Sequence, residues 1–228
     1  MGSIEYKYDS ITNTKYYIVR TNKSPFVYAP NGANKGGCRA INFDFPICIN
    51  AGLFNPKMDC YEPEGIIIQD SKVIQNSSAV FYPDSMPLTI DKQGKLWYAD
   101  ANADAYELVE QGIVSAVCGF MPIIINHKSV PEDKWTKVPH YDKPHQRQII
   151  GQCDDGSYMI ITCEGRDYAD SKGWTIKDAQ RVCVENNLDF AYNLDGGTST
   201  ETVVNGIQLN LVYERAEGRF ASTFIIFK

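Results

Sequence analysis

Apolar and polar positions alternate in short bursts along this chain of 228 residues, and a period of two is that of half-buried β-strands. Runs rich in β-branched and aromatic residues occur at 16–20, 26–29, 47–50, 65–69, 79–82, 95–98, 113–118, 148–152, 157–163, 189–194, 201–204 and 221–227. Each is predicted as a strand. Four connections carry hairpin chemistry: Gln69-Asp70-Ser71-Lys72, Asp91-Lys92-Gln93-Gly94, Asp154-Asp155-Gly156-Ser157 and Asn205-Gly206. Two segments change to helical spacing. Residues 103–112 set Tyr106, Leu108 and Val109 near one side and end on Gly112, a helix-stopping residue. Thr175 opens the second with a capping-box variant closed by Asp178, and Ile176, Ala179, Val182 and Cys183 recur on one face before Asn186. The fold expected is α+β: a single domain with a largely antiparallel, curved sheet and a few covering helices.

No low-complexity stretch, Pro-rich linker or charge run divides the chain, and 43% hydrophobic residues can build a core without disulfides or metals. A net charge of −6 argues against a nucleic-acid groove, which must neutralise phosphates. The first residues have neither a basic start nor an apolar stretch, and no apolar run approaches the ~20 residues of a membrane helix. A soluble protein is expected, cytoplasmic or virion-associated rather than secreted. The seven cysteines, at 38, 48, 60, 118, 153, 163 and 183, form no C-x-x-C pair. Cys48, Cys118, Cys163 and Cys183 lie among apolar neighbours and read as core residues, which suits a reducing compartment. Sequons at Asn22 and Asn76 would matter only in a eukaryotic secretory pathway.

Polar chemistry gathers at strand ends. Asp195 follows the apolar run 190–194 and precedes Gly196, Gly197, Thr198, Ser199 and Thr200, so a carboxylate stands where glycines allow a sharp turn or a close ligand. A plain Asp-Gly hairpin turn is the other reading. Asn50 ends a strand before Ala51, Gly52, Leu53 and Phe54; it either orients a sugar hydroxyl or caps the turn. His145, Gln146 and Arg147 open the strand 148–152, where the arginine is either an edge residue or a ligand group. Glu164, Gly165, Arg166 and Asp167 follow another apolar strand; Arg166 either salt-bridges its neighbours or forms the planar fork that suits phosphate. The Thr198, Ser199 and Thr200 hydroxyls with nearby backbone N–H groups could cradle an anion. Competing chemistries lack their patterns. His127, His140 and His145 do not have zinc-site spacing, and neither a G-x-S-x-G elbow nor a P-loop is present.

Taken in order, these pieces resemble the phosphodiester glycosidase family. Asn50 to Phe54 matches its Asn-Gly-Gly-Phe-Phe-like turn, His145 to Gly151 its His-Pro-Arg-Thr-Ala-Ile-Gly-like strand, and Glu164 to Arg166 a strand ending in Gly-Arg. A helix from Ile176 and an Asp-Gly-Gly-Gly-Ser-Ser-like loop at Asp195 to Thr200 follow, with Arg219 ahead of the last strand. The likeness spans 41–228; residues 1–40, read as N-terminal strands of the same domain, match no motif of the family. Ala51, Leu53, Gln148, Ile149 and Thr198 depart from its pattern, which bears on the sugar or aglycone more than on the reaction class.

The resemblance implies hydrolysis between a sugar's anomeric carbon and a phosphodiester oxygen, as in N-acetylglucosamine-1-phosphate esters. Arg147 and Arg166, with Arg219, would hold the phosphate, and Asp195 would act as base, nucleophile or stabiliser, with Glu164 as second carboxylate. Asn50, Gly52, Phe54, His145, Gly196, Gly197, Thr198 and Ser199 would complete the substrate site. The partner expected is a sugar-phosphate or glycan, not nucleic acid. No cofactor is expected, and a divalent cation near Asp195 has no ligand pattern to hold it. The alternative is a carbohydrate-binding or virion-associated module that uses the same pocket without cleavage. Tyr61, Trp97, Trp135, Trp174 and Tyr192 read either as sugar-stacking or as core aromatics.

Overall fold

Each of the four hairpin sequences closes an antiparallel pair, and longer connections assemble these pairs into layers. The structure, a computed structural model, describes residues 2–55, 61–135, 138–167, 169–211 and 220–228. In chain order the first strands are β1 (Ser3–Asp9), β2 (Thr14–Thr21), β3 (Pro25–Tyr28), β4 (Ile47–Asn50), β5 (Ile67–Gln69), β6 (Lys72–Gln75), β7 (Leu88–Asp91) and β8 (Leu96–Tyr98). Helix α1 (Ala105–Glu110) precedes β9 (Ile113–Val117), β10 (Met121–Ile125), β11 (Lys128–Ser129), β12 (Gln148–Gln152) and β13 (Tyr158–Cys163). Helix α2 (Ile176–Glu185) precedes β14 (Phe190–Asn193), β15 (Thr202–Val204), β16 (Ile207–Gln208) and β17 (Phe224–Phe227).

The fold is α+β with mostly antiparallel strands, which divide among three sheets. One has seven strands in the order β1-β2-β13-β12-β14-β10-β11; the others have five each, β16-β15-β4-β17-β3 and β6-β5-β9-β7-β8. The sheets share a core in which Val19, Ile150, Ile160 and Tyr192 of the large sheet meet Ile49 and Ile225 of the second and Ile67 and Leu88 of the third. A buried polar bridge ties the large sheet to the second: Thr162 and Thr202 hydroxyls lie 2.7 Å apart, and Gln148 Nε2 donates to Thr202 Oγ1 at 3.1 Å. The other face of the large sheet carries Ile18, Ile149, Met159 and Ile161 against Ile176, Ala179, Val182 and Cys183 of α2. Full burial of an aliphatic side chain such as Ile176 contributes about 1.5–3 kcal/mol. The Thr175–Asp178 capping box forms as its residues predict, and α1 starts from Asp104, whose carboxylate accepts from Tyr106 and Glu107 N–H.

Residues 79–82, predicted as a strand, are irregular. Val80 is exposed, and Phe81 N–H bonds the Glu64 carboxylate instead of a ladder partner. β10 goes unrecognised in the sequence because Pro122 lies inside it; the strand absorbs the proline through a register shift between Pro122 and Ile124. Trp135, Trp174 and Tyr192 are fully buried and belong to the core, so they are unavailable for stacking on a sugar. Cys48, Cys118, Cys163 and Cys183 are buried free thiols as expected. Among the described residues, no helix is long and apolar enough to cross a membrane.

Candidate active site

Four segments converge where the large sheet meets the second: the turn after β4, the approach to β12, the exit of β13 and the loop after β14. With Tyr82 and Phe120 they line a cavity of about 270 Å³. Its lining is mixed, with apolar Leu53, Phe54, Tyr82, Phe120 and Pro139 and polar His140, His145, Arg147, Arg166, Asp195 and Ser199. Among the described residues, Asp195 is the only carboxylate in its lining.

Asp195 is held by its backbone. Its N–H donates to Ala51 O at 2.9 Å, and Asn50 Nδ2 donates to Asp195 O at 2.7 Å. Asn50 is fully buried and its Oδ1 accepts from Glu201 N–H, so this side chain orients the loop and does not line the cavity. Gly52 is likewise internal: a Cβ there would stand 2.3 Å from Thr223 Oγ1. Gly196 N–H lies 2.9 Å from Asp195 Oδ1, and Gly197 N–H donates to Gln146 O at 2.9 Å. Ser199 and Thr200 N–H groups bond Gly196 O and Gly197 O. The Gly197, Ser199 and Thr200 N–H groups are thus engaged by backbone carbonyls, whereas the Thr200 hydroxyl is buried without a hydrogen-bond partner among the described residues. Thr198 is half-buried and outside the lining, whereas Ser199 is part of it.

Arg166 and His145 are joined by a direct side-chain hydrogen bond. Arg166 Nε–H donates to His145 Nδ1 at 2.9 Å. The arginine has a left-handed backbone, φ +59°, and its guanidinium lies over Gly197, where a Cβ would be 2.9 Å from Nη2. Burial, then the positive charges of Arg166 and Arg147, pull the His145 pKa down to about 4. The ring is neutral at physiological pH, and with Nδ1 accepting, its proton resides on Nε2. His140 packs edge-on against it at 4.9 Å and is also shifted down, first by burial and then by Lys143 and Arg166.

Arg147 reaches the cavity but spends donors on backbone carbonyls: Nε to Trp174 O at 2.9 Å, Nη2 to His140 O at 2.7 Å and Lys143 O at 3.1 Å. Burial lowers its pKa to about 10, so it remains charged. Such a caged guanidinium fixes the 140–145 loop, and with it His140 and His145. Its anchor is anchored in turn, since Trp174 Nε1 donates to Asp9 Oδ2 at 2.9 Å beside Arg181.

Glu164 does not line the cavity. It is 1% exposed; Oε1 accepts from Leu211 N–H at 2.8 Å, and Oε2 has no hydrogen-bond partner among the described residues. Burial raises its pKa to about 7, against a smaller opposing effect of the Leu211 N–H. Arg219 lies outside the described residues. His127 is apart from the other histidines, with Nε2 2.9 Å from Asp154 Oδ1 and 3.8 Å from Asp189 Oδ1 at the exposed surface. The cavity also contains residues that sequence reading missed. Tyr82 and Phe120, edge to face at 5.6 Å, come from separate connections and carry no motif; His140 lies just before the 145–151 motif, and Gln146 lies within it.

This layered fold has counterparts among solved structures. It is similar to the catalytic domain of zebrafish N-acetylglucosamine-1-phosphodiester alpha-N-acetylglucosaminidase auto-inhibited by its pro-peptide, with a TM-score of 0.77 and 17% identity, covering 100% of this chain and 82% of that one. A hypothetical protein from Synechocystis is similar at TM-score 0.70 and 12% identity, over 99% of this chain and 61% of that one. The chain belongs to the phosphodiester glycosidase family, whose profile matches residues 44–227. A curated relative is the uncharacterized SPbeta prophage-derived protein YomE of Bacillus subtilis, 26% identical over 166 residues, or 72% of this chain. The chain spans about a quarter of that relative's length, 26%.

Proposed function

We propose that the chain hydrolyses sugar-1-phosphodiesters at the glycosidic bond. The observation that carries this reading is the presence, in one cavity, of the Asp195 carboxylate and the Arg166 guanidinium braced by neutral His145. The anomeric carbon–oxygen bond breaks with its bonding pair leaving on the phosphate oxygen, and water's oxygen bonds the anomeric carbon, directly or by hydrolysing a glycosyl ester of Asp195, while the proton water loses passes to the acting base or to solvent. The products are the free sugar and a phosphomonoester of the aglycone. The phosphomonoester leaves as a stabilised anion, so a fixed cation does much of what a general acid does in ordinary glycoside hydrolysis.

Arg166 supplies that cation, held by the His145 bond beside Gly197. Arg147 adds positive potential from behind and fixes the histidine loop. Asp195 serves the electron-poor anomeric centre as base, nucleophile or charge stabiliser, and Ser199 contributes a hydroxyl. Phe54, Tyr82 and Phe120 give the sugar's C–H face an apolar surface. A volume of about 270 Å³ is at the low end for small-ligand pockets, which suits one sugar ring with its phosphate.

Hydrolysis of UDP-N-acetylglucosamine and simpler sugar-1-phosphodiesters in ¹⁸O-labelled water tests the bond assignment. The expected result is label in the released sugar. Label in the phosphate would mean phosphorus–oxygen cleavage and overturn it; glycan binding without cleavage would favour the carbohydrate-binding alternative.

A further inference from the structure

We propose that two copies of this chain associate through β1, their β1 strands pairing antiparallel about a two-fold axis at Tyr6. β1 is the outer strand of the seven-stranded sheet. One side is paired with β2 from Ser3↔Arg20 to Asp9↔Thr14, and among the described residues no strand pairs with the other. Such an edge offers a row of backbone donors and acceptors to another chain.

The side chains of this edge are unlike those of a protected one. Ile4, Tyr6 and Tyr8 alternate on one face and are 48%, 58% and 55% exposed. Tyr17 of β2 extends the patch inward, its ring 5.2 Å from that of Tyr6. The opposite face carries Glu5 with Lys7 3.0 Å away and Arg20 of β2 3.1 Å away. A contiguous apolar face on a long free edge is an association surface unless something covers it.

The occupant follows from charge and register. A two-fold axis at Tyr6 sets Glu5 opposite Lys7 of the second copy, and Lys7 opposite its Glu5. Ile4 then meets Tyr8 and Tyr6 meets Tyr6, with all apolar residues on one face. Centring the axis on Glu5 or on Lys7 would bring like charges face to face, which is unfavourable for directly opposed residues. An edge lysine ordinarily blocks pairing; here the register gives it a carboxylate partner. β1 contributes nothing to the cavity lining, so the dimer leaves the candidate site open and stands or falls independently of it.

Sedimentation equilibrium over a range of concentrations tests the proposal. Wild type is expected to approach twice the 25.6 kDa chain mass. Lys7→Glu and Glu5→Lys, each opposing like charges across the axis, are expected to weaken association by roughly tenfold or more. Mixing the two variants should restore it, because each then faces a complementary strand. Thermal melts report whether these exposed substitutions leave the fold intact. A wild type that stays monomeric at the highest concentration reached, or a dimer that neither variant weakens, overturns the proposal.

Discussion

Arg166 Nε and His145 Nδ1 stand 2.9 Å apart, with the arginine donating. The contact aims the guanidinium and sets the histidine tautomer at once. It also joins the exit of β13 to the approach to β12, so two separate strand ends are registered at one cavity.

Arg166→Lys removes the planar fork and the Nε donor. kcat/KM on a sugar-1-phosphodiester is expected to fall by about 100-fold or more. The His145 ring ¹⁵N shifts should move from a single Nε2–H tautomer toward a mixture. Unchanged shifts would separate the histidine from Arg166.

Arg147→Lys is expected to act first on stability. An ammonium cannot reach the three carbonyls of Trp174, His140 and Lys143 from one planar group, and a buried charge losing its partners costs about 3–5 kcal/mol. Urea denaturation measures this. Unchanged stability with a large loss of kcat/KM would instead make Arg147 a direct phosphate ligand.

Glu164 gives a pH signature. Its folded pKa of about 7 exceeds the ordinary value of 4.5, so between these values the folded state binds more protons and stability falls as pH rises, by up to about 1.4 kcal/mol per unit. His145, shifted from 6.5 down to about 4, has the opposite sign: its contribution is lost as pH falls through that interval. The two slopes oppose one another in wild type. Glu164→Gln removes one of them, so its stability relative to wild type should increase from pH 4.5 to 7 and level off above. A pH-independent difference in denaturation free energy would show that Glu164 does not titrate in this interval.

Two glycine substitutions should separate packing from site geometry. Gly52→Ala puts a methyl 2.3 Å from Thr223 Oγ1 and 2.7 Å from Val117 Cγ2, and is expected to cost about 1–3 kcal/mol by overpacking. Gly197→Ala strains a backbone at φ +60° by roughly 1 kcal/mol and pushes on Arg166 Nη2 at 2.9 Å. Its kcat/KM should fall well beyond its stability loss. Equal effects of both on Tm with activity retained would remove Gly197 from the site.

The hairpins, both helices and the strand ends that build the cavity are legible because each rests on local chemistry: turn residues, a capping box, alternation. Asp195, His145, Arg147 and Arg166 were recognisable as polar residues at strand ends and meet in one cavity. What a carboxylate or arginine touches is a non-local matter. Glu164 points to Leu211 N–H and Asn50 to the Asp195 backbone, and no spacing in the chain distinguishes those orientations from a pocket-facing one. Tyr82 and Phe120 carry no local signal for the same reason, since one sits in an irregular segment and the other in a tight connection, and only the fold brings them together. Alternation in β1 predicts a half-buried strand, whereas the fold leaves its apolar residues Ile4, Tyr6 and Tyr8 exposed.

The central claim is tested most directly by assaying release of free sugar from a panel of α- and β-linked sugar-1-phosphodiesters with wild type and Asp195→Asn in parallel. Wild type is expected to release sugar from at least one member, and the variant, with an unchanged Tm, to release none above background. Equal turnover by the two, or no turnover by wild type across the panel while it still binds sugar, would contradict the account.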